Sequence, residues 1–163
     1  MGIAKITLAT KLEGDLIYLD GVQDPGNVGT IIRTLDSAGI NTLLLSETCA
    51  DEYNTKVIRS TMGAIFRVKT YRESNLKEKL ESLKKQGYKI IVTDLDTEAN
   101  LFEYAFPSKT IVVIGNESKG VSEEIKNIAD VKVKIPMVGK TESLNAGVAA
   151  SLMAYEILRK SNQ

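Results

Sequence analysis

Histidine is missing from this chain of 163 residues, and cysteine occurs once, as Cys49. Together these absences exclude a Ser-His-Asp triad, a Cys-His pair and a nitrogen/thiolate zinc site, and leave only a carboxylate-bound Mg²⁺ open. A lone cysteine excludes an internal disulfide framework and fits a reducing compartment, so a cytoplasmic location is expected. Long apolar runs are missing too. The uncharged stretches are too short and too polar to span a bilayer, and the opening MGIAKITLAT lacks the apolar centre of a signal peptide. Nor does either charge dominate: 21 Lys and Arg balance 21 Asp and Glu. No global field draws in a polyanion, so nucleic-acid binding needs a local patch or a partner domain.

What is present has the composition of an ordinary globular protein, 43% hydrophobic and 26% charged. The length suits one domain that buries roughly two-thirds of its unfolded surface. Apolar β-type runs alternate with helical patterns, without repeats or low-complexity segments. LIYL (16–19) precedes a helix over about 26–38, and NTLLL (41–45) precedes a short helix near 54–62. FRVKT (66–70) precedes SNLKEKLESLKKQG (74–87), where Ser74 is the expected cap and Gly87 the stop. YKIIVTD (88–94), TIVVIG (110–115), a helix opened by Ser122, VKVKIP (131–136) and a helix over about 143–160 complete the series. Such alternation predicts an α/β fold, a mostly parallel sheet with helices on both faces.

Three stretches carry candidate chemistry. In DPGNVGTIIR (24–33) a turn sequence runs straight into a helix whose Val28, Ile31, Ile32, Leu35 and Ala38 share one face and are expected in the core. Gly29, Arg33 and Asp36 fall on another stripe, where Gly29 leaves room for another backbone or a sugar. Arg33 is then either a solvated i,i+3 partner of Asp36, worth a few tenths of a kcal/mol, or a functional cation. GNESKG (115–120) lies between a strong strand and a helix, but it fails the known phosphate-loop patterns. Lys119 precedes Gly120-Val121 instead of following a glycine and preceding Ser or Thr, and neither G-x-G-x-x-G nor G-x-S-x-G occurs there. It remains a glycine-flanked loop at a strand's carboxyl end, where open α/β sheets place ligands. Glu117 within it is either a loop-stabilising carboxylate or a site residue. In SLNAGVAAS (143–151), Ser143 and Asn145 sit at a helix start, where capping explains one of them and the second prompts a ligand reading. Leu144 to Tyr155 carries no charge and is rich in Ala and Gly. It is a plain core helix or one shared with another subunit.

The three stretches together resemble the SpoU-type (TrmH-like) RNA ribose 2′-O-methyltransferases of the SPOUT superfamily. LDGVQDPGNVGTIIRTLDSAGI (19–40), IVVIGNESKGVS (111–122) and VKIPMVGKTESLNAGVAASL (133–152) resemble the family's three motifs, in order, and KVIRSTMGAIFRV (56–68) resembles its central segment. The resemblance implies a C-terminal trefoil knot, a homodimer, an RNA substrate (rRNA favoured over tRNA) and S-adenosylmethionine as methyl donor, without a metal. It places catalytic roles on Asn27, Arg33, Glu117, Ser143 and Asn145, with Asn27 fixing Arg33 and Arg33 meeting the 2′-hydroxyl, either as a base or as a positioner that stabilises charge. It places the cofactor against Thr93, Gly115, Asn116, Gly120, Ile135, Met137, Ser143, Leu144 and Asn145. Arg33, Arg59, Arg67 and Lys140, in or beside the motifs, are candidate phosphate contacts. Ser118 and Ala146-Gly147 depart from the family's usual glycine and Val-Ser pair. A serine forced to positive φ at 118 would cost about 1 kcal/mol. The chain reads as a single catalytic domain over 1–163, without the N-terminal RNA-binding domain of larger relatives. The rival readings are a catalytic fragment and a non-catalytic module that binds S-adenosylmethionine or RNA.

Overall fold

The computed structural model describes residues 12–161. Its strands are β1 (Leu16–Asp20), β2 (Thr42–Ser46), β3 (Lys69–Glu73), β4 (Lys89–Thr93), β5 (Thr110–Gly115) and β6 (Val131–Val133). All pair in parallel, in the order β3-β2-β1-β5-β4-β6. The helices are α1 (Pro25–Ser37), α2 (Thr55–Ser60), α3 (Leu76–Lys85), α4 (Glu123–Ile128) and α5 (Ala146–Ser161). Parallel strands covered on both faces are apolar without interruption, and every residue of β5 is buried. Alternate side chains serve opposite layers. Ile17, Leu19, Val112 and Ile114 pack with α1, α2 and α5, whereas Leu16, Tyr18, Ile111 and Val113 pack with α3 and α4. None of the described helices is long and apolar enough to cross a membrane.

The start of α1 follows from its sequence. Asp24 accepts the Asn27 N–H at 2.9 Å as N-cap, and Pro25 occupies the first helical position, where its missing N–H costs nothing. Val28, Ile31, Ile32, Leu35 and Ala38 are buried as expected. Each such aliphatic side chain contributes about 1.5–3 kcal/mol at full burial. Gly29 is also buried, because α2 crosses α1 there: a Cβ on Gly29 would stand 2.4 Å from the Ser60 Cβ and 2.8 Å from the Val57 carbonyl oxygen. The room it leaves is taken by another backbone.

The expected boundaries shift at three places. Gly63, at φ +87°, opens a short 3₁₀ turn over Ala64–Phe66, which holds residues 64–67 off the sheet, so β3 begins at Lys69 and not at Phe66. Asn75 caps α3 by accepting the Glu78 N–H at 3.2 Å, in place of Ser74. Asn145 caps α5 by accepting from Gly147 at 2.9 Å and Val148 at 3.2 Å, so the helix begins three residues after Ser143.

Candidate active site at the carboxyl edge of the sheet

Parallel strands present their carboxyl ends at one edge, and the loops leaving β1 and β5 meet there. β5 ends in a tight hairpin. Asn116 and Gly120 exchange backbone hydrogen bonds of 3.0 and 2.9 Å, and the Asn116 side-chain oxygen accepts the N–H groups of Ser118 and Lys119. The Asn116 amide nitrogen donates to the Gly21 carbonyl at 2.8 Å, so this side chain is spent on holding the loop to the end of β1. Asp20 adds a second tie by accepting the Ser122 N–H at 2.7 Å. Gly115 is required by the hairpin, since a Cβ there would lie 2.0 Å from the Gly120 carbonyl carbon. The left-handed residue of the loop is Gly120, at φ +69°. Ser118 is not at positive φ and carries no such strain. Asp20 and Gly21 were not among the expected site residues. The LDG that ends the first strand was their signal, an acid and a glycine at a strand's carboxyl end.

Three candidate residues from three segments then join in one chain of hydrogen bonds. Asn27 donates to Glu117 Oε1 at 2.8 Å, across 90 residues of sequence. Asn145 donates to Asn27 Oδ1 at 2.9 Å, across 118 residues. The Asn145 oxygen caps α5. The chain has one direction only. A carboxylate accepts and does not donate, so Asn27 must turn its NH₂ toward Glu117 and its oxygen toward Asn145. Asn145 is thereby forced to aim its own oxygen at the helix. Gly147 faces α1: a Cβ there would stand in ordinary contact with Thr30 Cγ2, at 3.4 Å, and with Asn27 Oδ1, at 3.6 Å.

Arg33 lies two turns into α1 and is exposed. Asp36 is not its partner. Asp36 instead takes a forked pair from Arg67, with Nε at 2.9 Å and Nη2 at 2.7 Å, which holds its carboxyl below the usual range. Among the described residues the Arg33 guanidinium has no hydrogen-bond or ion-pair partner, and the Asn27 side chain is hydrogen-bonded to Glu117 and Asn145 instead. Its position is bracketed on its own stripe by Gly29, which touches α2, and by Asp36, which is bound to Arg67.

The stretch from β6 to α5 supplies the remaining candidates. Ile135, Met137 and Leu144 are half-buried, whereas Ser143 is exposed and hydrogen-bonded to nothing among the described residues. No backbone N–H from Ile135 to Leu144 donates within the described chain. The Thr93 hydroxyl, at the end of β4, donates to the Val113 carbonyl at 3.4 Å. Next to it, burial pushes the Asp94 carboxyl up, but the Asp96 N–H, Lys126 and Lys132 together hold it below its usual value. These pairs fasten α4 and β6 to the end of β4. Among the described residues, Arg59 and Lys140 are exposed without ion pairs, and no cluster of three or more acidic or thiol side chains could hold a metal ion. Thr30, Asn145, Gly147, Val148, Ser151, Leu152 and Tyr155 line an open groove of about 290 Å³ along α1 and α5. Val148 and Tyr155 expose about half of their surface there.

A doubly covered parallel sheet, with a carboxylate from the β5 loop and amides from the starts of α1 and α5 joined at one edge, defines an α/β domain. The chain belongs to the SpoU rRNA Methylase family, whose profile matches residues 15–155. A relative from Staphylococcus haemolyticus, assigned by name to the TrmH family of tRNA/rRNA methyltransferases, is 37% identical over 148 residues, which are 91% of this chain and 59% of that one. The 23S rRNA (guanosine(2553)-2′-O)-methyltransferase RlmP of Bacillus subtilis is 36% identical over 142 residues, or 87% of this chain and 57% of that one. The SpoU methyltransferase AviRb of Streptomyces viridochromogenes, solved with AdoMet, superposes with a TM-score of 0.85 at 30% identity, covering 93% of this chain and 62% of that one. The chain thus spans less than two-thirds of the length of these relatives.

Proposed function

We propose that this chain transfers a methyl group from S-adenosylmethionine to a ribose 2′-hydroxyl of RNA, with ribosomal RNA favoured. The observation that carries the reading is the Glu117–Asn27–Asn145 chain, closed across three distant segments, on the helix that also carries the unpartnered Arg33. Family membership and the named activity of the Bacillus subtilis relative support it. The residues present fit the cofactor. The stretch from Ile135 to Leu144 combines half-buried apolar side chains with unspent backbone groups, which suits an adenine recognised by main chain and packing. Threading of this stretch into a knot, and a cytoplasmic location, belong to the same reading.

Bound there, S-adenosylmethionine supplies a methyl group on a cationic sulfonium, already activated for in-line transfer. The protein's work is placement and charge. Orienting two reactants supplies about 7–11 kcal/mol in well-arranged systems. Arg33 presents five donors and accepts nothing, so it orients the 2′-hydroxyl beside a phosphate and stabilises the charge that develops on its oxygen as the proton passes to solvent water. Glu117, with one oxygen held by Asn27, keeps the other for the ligand. Asn145 fixes the position of Asn27 relative to α5. Val148, Leu152 and Tyr155, apolar and open along α5, are the surface on which a second copy sits in a homodimer. Arg33 lies one turn beyond Thr30 of that groove.

The test is calorimetric titration with S-adenosylmethionine, followed by single-turnover transfer of tritiated methyl to RNA. Arg33→Ala removes no core contact, so the fold and cofactor affinity are retained while transfer falls about 10²–10³-fold. Arg33→Lys is also poor, because an ammonium cannot form the planar fork. An Arg33→Ala protein with the wild-type transfer rate refutes the assignment.

A further inference from the structure

The segment from α2 to Arg67 has features that the catalytic reading does not use. Gly29 and Asp36 lie on the stripe of Arg33, one turn on either side of it. Gly29 touches Val57 and Ser60, and Asp36 binds Arg67. Residues 57–67 therefore run alongside Arg33. In a soluble protein this stretch would be expected to turn its large apolar side chains inward, yet Phe66 is 77% exposed and Met62 72% exposed. Met62 is held out by a left-handed backbone, φ +49°, which is strained for a residue with a side chain. Phe66 directly precedes the arginine clamped to Asp36, which lies one turn from Arg33 on α1. Lys56 and Arg59, on the exposed side of α2, have no ion pair among the described residues. An exposed ring in the same segment as two unpaired cations, a segment tied to α1 on either side of Arg33, matches the chemistry of single-stranded RNA, with bases for stacking and phosphates for charge.

We infer that residues 56–67 form an RNA-reading shelf: Phe66, with Met62 beside it, stacks an unpaired base adjacent to the target ribose, while Lys56 and Arg59 hold the flanking phosphates. This rests on the function proposed above and adds to it a determinant of which nucleotide is presented. Every base has a π-face, so the shelf prefers unpaired nucleotides to paired ones instead of selecting one base. Its charges act on all sequences alike.

The probe is a ten-nucleotide single-stranded oligoribonucleotide carrying a central 2-aminopurine, titrated with the whole chain at several salt concentrations. Binding should quench the 2-aminopurine. Phe66→Ala should weaken affinity about tenfold with the salt slope unchanged, whereas Phe66→Tyr should bind like wild type. Arg59→Ala should instead lower the slope by about one, with the quench intact. An oligomer abasic at the probe position should bind wild type and Phe66→Ala equally. S-adenosylmethionine affinity, measured on the same variants, should not change. The shelf is overturned if the wild-type chain does not bind the oligomer at low salt, or if Phe66→Ala binds as wild type. It is also overturned if light scattering shows that Phe66→Ala dissociates a self-associated chain, because a second copy then covers the ring. Loss of cofactor binding by the wild-type chain would refute the methyl-transfer reading and leave these RNA measurements standing.

Discussion

Asn145 does two jobs, and two substitutions separate them. As N-cap it satisfies the N–H groups of Gly147 and Val148, and its amide nitrogen holds Asn27. Asn145→Ala loses both. The cap contributes about 1 kcal/mol, and a partly exposed hydrogen bond contributes up to about 1 kcal/mol. For a domain of this size the sum lowers the melting temperature by about 4–8 °C. Asn145→Asp keeps the cap, and its charge is favoured at a helix N-terminus by about 0.3–1 kcal/mol. Yet it sets a carboxylate against Asn27 Oδ1, now an accepted partner at 2.9 Å. Asn27 cannot answer by flipping, because its oxygen would then face Glu117. One of the two contacts must open. The Asp variant should therefore melt near the wild-type temperature but transfer methyl about 10²-fold more slowly, the order of loss when a reacting group is misplaced. Differential scanning calorimetry and single-turnover methylation give the two readouts. An Asp variant as active as wild type would show that the amide chain is scaffolding only, and an Ala variant as stable as Asp would show that Asn145 does not act as a cap.

Tyr155→Asp places a charge in the apolar groove of α5 and should convert the proposed homodimer to monomer; light scattering that shows one unchanged species for both proteins refutes the interface. A second expectation concerns acid. Burial pushes the Asp130 carboxyl up, but the Ile90 N–H, Lys84 and Lys89 more than offset this and hold it below its usual value. A depressed folded value means stability present above the unfolded pKa, about 3.9, and lost as pH falls through the folded value. Urea unfolding between pH 3 and 6 should show this decline, and Asp130→Asn should flatten it.

The layered architecture was legible because parallel strands covered on both faces are apolar throughout, as in TIVVIG, and because the 3.6-residue period of α1 marks its buried face without ambiguity. Strand order was not, since β5 inserts beside β1 for reasons of long-range packing that no local period encodes. Three of the candidate residues, Asn27, Glu117 and Asn145, are joined in the structure, but that wiring was not legible. Asp36 seemed nearest to Arg33 by helical spacing, yet its carboxylate is taken by Arg67, 31 residues later, a tertiary contact that no local spacing encodes. Gly29 gave a sound signal of close approach, but sequence alone could not say whose backbone approaches. Ser143 and Asn145 were equivalent as cap candidates until the helix register assigned the role to Asn145.

The pairing of β1 with β5 sets a timetable for synthesis. β1 is made well before its second neighbour: Gly21 waits for Asn116 across 95 residues. At roughly 5–20 residues per second, β1 exposes an open apolar edge on the ribosome for about 5–20 s. Asn145 comes later still, 118 residues after Asn27, so the Glu117–Asn27–Asn145 chain closes only once the start of α5 has emerged. Products that stop before β5 retain the sticky edge. Slow translation between β2 and β5 should therefore lower the soluble yield of this protein without altering the finished molecule.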